Sequence, residues 1–147
     1  MPLKFRHLLA IALLSPFALP SSASAQIHAV QVWEQLQTHF EIFAGLEDLE
    51  LRNYVMGRLG DDETDSWTFS FNTGTAYVIT AACDNDCSDV DVFIKNEAGE
   101  TVISDTETDD YPMVTFTPSM SGRYTIDVKM YDCSTSFCYF GFGLFSQ

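Results

Sequence analysis

From residue 49 onward, apolar and polar residues alternate in short runs separated by polar turns. This two-residue period is that of strands with one buried face. The clearest run is 123–130, where Tyr124, Ile126, Val128 and Met130 fall on one face and Arg123, Thr125, Asp127 and Lys129 on the other. In the run 90–95, Val90, Val92 and Ile94 oppose Asp91, Phe93 and Lys95, with Asp89 just before on the polar side. Further strands are expected at 49–59, 66–71 (Trp67, Phe69 and Phe71 on one face), 76–82, 101–105, 114–117 and 139–145. In the last of these, Gly141 and Gly143 thin one face. Asn72-Thr-Gly74, Asn96-Glu-Ala-Gly99 and Pro118-Ser-Met-Ser-Gly122 punctuate the runs as turns. About eight short strands at this spacing predict an all-β, jelly-roll-like sandwich.

Before residue 49 the period changes. Ala29, Trp33, Leu36, Phe40 and Phe43 step by four and three, giving a narrow apolar stripe on a helix over 28–44 that Gly45 ends. The stripe predicts that this N-terminal helix docks on the sandwich and covers a sheet edge; a docking helix for a partner chain is the alternative. Residues 1–25 have the composition of a cleaved signal peptide. Lys4, Arg6 and His7 give a basic start, Leu8 to Leu14 a short apolar core, and Ala23-Ser-Ala25 a small-residue cleavage site. The apolar run is shorter than the roughly 20 residues that span a bilayer, so no membrane insertion of the mature chain is expected. Helix and linker then occupy 26–48, and the β-domain 49–147.

The remaining 122 of 147 residues suffice for one domain that buries about two-thirds of its unfolded surface. Losing Lys4 and Arg6 leaves five basic residues against 21 acidic ones. Such a surface repels nucleic acid and anionic lipid and favours cations, basic partners or solubility alone. Four cysteines in an exported chain predict two disulfides. Three pairings exist, and the short spacings favour Cys83–Cys87 and Cys133–Cys138, each closing one turn. The destination is the periplasm or the medium.

The chain resembles the bacterial pre-peptidase C-terminal domain family, related to collagenase collagen-binding domains. The resemblance rests on Gly57-Arg-Leu-Gly-Asp-Asp-Glu-Thr-Asp-Ser-Trp67-Thr-Phe, on Gly74-x-x-Tyr77, and on Ser88-Asp-Val-Asp-Val-Phe. Asp105…Asp110-x-Pro112 and Thr117-Pro-Ser-Met-Ser-Gly122-Arg-Tyr-Thr-Ile continue it, so that it covers roughly 53–145. The resemblance implies a small β-sandwich found beside exported enzymes, an accessory or binding module rather than a catalyst. The expectation is a module without an accompanying enzyme domain.

Candidate chemistry lies in the acids and the aromatics. Fourteen of the 21 acids fall between Asp61 and Asp110, with Lys95 the only base among them. Asp61, Asp62 and Asp65, then Asp84, Asp86 and Asp89, then Asp109 and Asp110 cluster at three turns. Crowded carboxylates supply the oxygens that Ca2+ takes, and the resemblance adds that related domains hold calcium at acidic turns; solvated acidic turns are the alternative. The helix–loop–helix calcium motif is excluded, because Asp89 stands where it needs glycine and Lys95 where it needs glutamate. His28 and His39 are expected on the helix surface, away from metal-ligand spacing. No nucleophile and base stand in a motif, so no enzyme is expected. Phe93, Phe137 and Tyr139 are candidates for stacking on a polysaccharide or anchoring a protein. The expected function is therefore a secreted, non-enzymatic binding or accessory module, with a calcium-stabilised structural module of the envelope as the alternative.

Overall fold

A computed structural model describes residues 22–46 and 49–147, so most of the expected signal segment, and the linker residues 47–48, lie outside the described residues. Helix α1 spans Ser22–Leu46 and is followed by eight strands: β1 Glu50–Leu59, β2 Thr64–Phe71, β3 Tyr77–Cys83, β4 Cys87–Lys95, β5 Thr101–Asp105, β6 Met113–Phe116, β7 Gly122–Cys133 and β8 Cys138–Ser146. They form two antiparallel four-stranded sheets, in the orders β1-β8-β3-β6 and β2-β7-β4-β5. This is the strand order of a jelly roll.

The alternation seen in the sequence fixes which side chains face inward. Val90, Val92 and Ile94 of β4 and Ile126, Val128 and Met130 of β7 are fully buried between the sheets. They meet Ile79, Phe140, Phe142 and Leu144 from the other sheet. At one end Phe71 packs edge-on against Tyr77, Phe116 and Tyr124. Trp67 and Phe69 cover Phe142 nearby. Gly74 and Gly99 sit at φ of 75° and 81° in the β2–β3 and β4–β5 turns, a backbone region that glycine enters without steric cost.

Several elements extend beyond their apolar pattern: α1 and β2 start earlier than expected, and β4 and β7 reach to cysteines. β4 begins at Cys87 and β7 continues to Cys133 because these residues are paired across the strands. Both disulfides form in the expected local pairing, Cys83–Cys87 and Cys133–Cys138. Since Cys87 and Cys133 are neighbours, the two closed loops lie side by side, and Ser134 donates its backbone N–H and its hydroxyl to the Asp86 carbonyl at 2.9 and 2.8 Å.

The helix docks on the domain, but it covers a sheet face rather than an edge. It lies on the outer side of the first sheet, against β8, β3 and β1. The reason is in β8, whose outward positions include Gly141 and Gly143. A methyl at Gly141 would lie 2.6 Å from Leu36 Cδ1, and one at Gly143 would lie 2.7 Å from Phe40 Cε1. The missing side chains form the trough that the helix enters. The buried stripe is also broader than expected: Val32 is as fully buried as Leu36, and both pack against Ala82. Trp33 lies against Tyr54, and Phe40 and Phe43 against Phe145. The described residues thus form three layers, and among them the second sheet keeps an open outer face.

Candidate functional site

The N-terminal half of α1 crosses the Cys83–Cys87 loop. Gln35 Nε2 donates to the Cys83 carbonyl at 2.8 Å. Two turns earlier, His28 is inserted between Asp84 and Asp86, with Nδ1 3.4 Å from Asp84 Oδ2 and Nε2 3.7 Å from Asp86 Oδ2. This corrects the expectation of a surface histidine away from ligands: folding supplies the neighbours that sequence spacing lacks. His39 departs from the same expectation, being half-buried with Nδ1 3.0 Å from Thr80 Oγ1. Burial holds its pKa below the ordinary value of 6.5.

Asp84 is 1% exposed. It accepts the backbone N–H of Asp86 on Oδ1 at 3.1 Å and that of Tyr139 on Oδ2 at 2.9 Å, so its carboxylate is held in place by both disulfide loops. His28, Asp84 and Asp86 each offer a ligand atom within 4.8 Å of the other two. A cleft of about 290 Å³ opens beside them, lined also by Thr135, Phe137 and Tyr139. The Tyr139 ring lies parallel to His28, and Phe137 meets Tyr139 edge-on with the Arg58 guanidinium 4.6 Å above its ring.

The other acids are arranged differently. Asp61 accepts the Cys133 N–H at 2.9 Å, Asp62 pairs with Lys129 at 2.7 Å, and Asp65 accepts the Ser66 N–H at 2.8 Å. Asp109 caps its own turn by accepting the Tyr111 N–H, and Asp110 lies beside Gln31, Gln35 and Asn85. Asp89 is drawn inward at a bulge of β4, where Oδ1 is buried without a hydrogen-bond partner. Burial, then Asp109 and Asp132, raise its pKa above 3.8; burial and Asp89 raise that of the neighbouring Asp91.

Phe93 stands apart from the cleft, half-buried on the open face of the second sheet. In register it shares a cross-strand row with Ser104, Asp127 and Ser66. Ser66 donates to Asp127 at 2.7 Å, and Lys95 pairs with the same carboxylate. Along this face runs a groove of about 590 Å³, whose lining side chains, glycine aside, are all polar; they include Thr68, Asn96, Arg123 and Thr125. Lys95 and Arg123 bring two of the chain's few cations to it.

Among the described residues no helix is long and apolar enough to cross a membrane. The two disulfides fit an oxidising, extracytoplasmic setting. No protein-family model matches the chain. Comparison with curated proteins gives no match either. Among solved structures, the fold is similar to the pre-peptidase C-terminal domain of a collagenase from Bacillus anthracis, with a TM-score of 0.53 and 16% identity, covering 64% of this chain and 89% of that one. A weaker similarity, TM-score 0.47 and 13% identity over 65% of this chain and 85% of that one, is to Aeromonas hydrophila PliG, a periplasmic inhibitor of g-type lysozyme. At these identities what is shared is the fold: a β-sandwich of the kind seen in the pre-peptidase C-terminal domain.

Proposed function

We propose that the chain is an exported, non-enzymatic accessory module of the pre-peptidase C-terminal type, which binds a polysaccharide on the open face of its second sheet. The carrying observation is the asymmetry of the sandwich. One outer face is packed under α1, while the other keeps a groove with hydrogen-bonding side chains throughout. Sugars need many directional donors and acceptors, which the groove supplies, and Phe93, outside the groove lining but on the same sheet face, offers an aromatic surface for the apolar side of a ring. The motif residues of the β-region and the fold shared with the collagenase domain support the family reading.

The test is retention of the protein on a panel of insoluble and immobilised polysaccharides, with Phe93→Ala and Arg123→Ala as variants. Each should weaken retention about tenfold, equal to about 1.4 kcal/mol, while Phe137→Ala leaves it unchanged. Release of soluble sugar from the bound polymer would contradict the non-enzymatic reading. Failure to bind any polysaccharide, alongside stoichiometric recovery of one exported protein, would replace the sugar by a protein ligand.

A further inference from the structure

We propose that His28, Asp84 and Asp86 form a binding site for a divalent transition metal of the zinc class, which clamps α1 to the disulfide loops. The distance between His28 Nδ1 and Asp84 Oδ2 is 3.4 Å, and Nδ1 is buried with no hydrogen-bond partner. A charge-assisted hydrogen bond between these groups would bring them to about 2.7–2.9 Å. Two ligands sharing a tetrahedral metal at about 2.0–2.1 Å each stand about 3.4 Å apart. The separation matches that of two ligands of one ion; Asp86, which faces the other ring nitrogen Nε2 at 3.7 Å, turns toward Nδ1 to complete the set.

The surroundings have what such a site needs. Asp84 is fixed by two backbone N–H groups, so one ligand is held in place before the metal arrives. Asp86 lies on the four-residue span closed by a disulfide, and its half-exposed carboxylate is free to adjust. The adjoining cleft leaves room for water to complete the shell. An imidazole with two carboxylates suits zinc and its neighbours, whereas calcium takes about six to eight oxygens and no nitrogen.

The site also joins parts of the chain far apart in sequence. His28 comes from the helix, Asp84 and Asp86 from the β3–β4 loop, and Tyr139, whose N–H holds Asp84, from β8. A bound ion would therefore secure the helix at its N-terminal half, where side-chain burial is thinner than at Leu36 and Phe40.

The test titrates the full chain with Zn2+ against a chromogenic chelator at pH 7.5, with thermal unfolding and, in a Trp67→Phe background that leaves Trp33 the sole tryptophan, Trp33 fluorescence recorded in parallel. Expected are one ion per chain, a higher melting temperature with Zn2+, and affinity lost by about tenfold or more in His28→Gln and in Asp86→Asn. Asp109→Asn, outside the site, should bind like the parent. Zinc bound as tightly by His28→Gln as by the parent would overturn the proposal, since the ion would then be held diffusely by carboxylates. Displacement of Zn2+ by equimolar Ca2+ would overturn it as well. Asp84→Asn is avoided because Asp84 also supports the fold; unchanged Trp33 emission in metal-free His28→Gln shows that the helix is still docked and that the loss belongs to the site.

Discussion

Single residues here carry charge into places where charge is costly. Asp89 and Asp91 are each 6% exposed, and both hold their protons to higher pH than an ordinary carboxyl. Between the ordinary value of 3.8 and their raised values, the folded chain binds more protons than the unfolded one. Stability from this source therefore grows as pH falls through that window and is lost as pH rises. Asp89→Asn, which removes the charge at nearly constant shape, should raise the melting temperature at pH 7 by about 3 °C, and the gain should vanish near pH 4. A melt series from pH 4 to 8 checks this; a variant less stable than the parent at pH 7 would show that the Asp89 charge supports the fold. None of this was legible in the sequence. The alternation places Asp89 outward with Asp91, yet both are buried, and the register shifts of β4 on either side of Asp89 have no signal in the sequence. The meeting of His28 with Asp84 was equally hidden, since no local pattern links residues 56 apart. The disulfides were legible, because two short spacings leave little choice.

At the scale of elements the strands were readable to within a few residues, because the period of two survives in most of them; β3 and β8, buried on both faces, are the exceptions. What the helix covers was not readable from its own stripe; the signal lay in Gly141 and Gly143 of β8, at the far end of the chain. The trough leads to a sharp expectation. Gly141→Ala would force its methyl against Leu36 and to 3.0 Å from the Val55 carbonyl, and should cost about 1–3 kcal/mol in chemical unfolding. In a chain lacking 26–44 the clash with Leu36 is gone, and most of that cost should go with it. The shortened chain should still unfold cooperatively but be less soluble, since Val78, Ala82 and Phe145 lose their cover. Non-cooperative unfolding would make the helix part of the core. His39 gives this docking its own pH dependence, of the opposite sign to Asp89. Below 6.5 the unfolded chain takes up a proton that the buried ring resists, so stability is lost as pH falls through that range. In a Trp67→Phe background, Trp33 emission is local to the helix and separates the two effects.

For the molecule as a whole, the position of β7 and β8 has a consequence for how the chain comes together in time. β8 lies between β1 and β3, and β7 between β2 and β4. A chain emerging from its N-terminus makes β1 and β2 first, yet their only strand partners come more than fifty residues later. Until then just two pairs, β3 with β6 and β4 with β5, can hydrogen-bond. The sandwich thus closes late, through contacts distant in sequence, which is the slow class of folding. A chain ending at residue 137 should show no cooperative unfolding transition, although seven of its eight strands are present; a cooperative melt from it would mean that the first sheet holds together without its centre. Such a delay leaves β1 and β2 extended and without strand partners until β7 and β8 have been made.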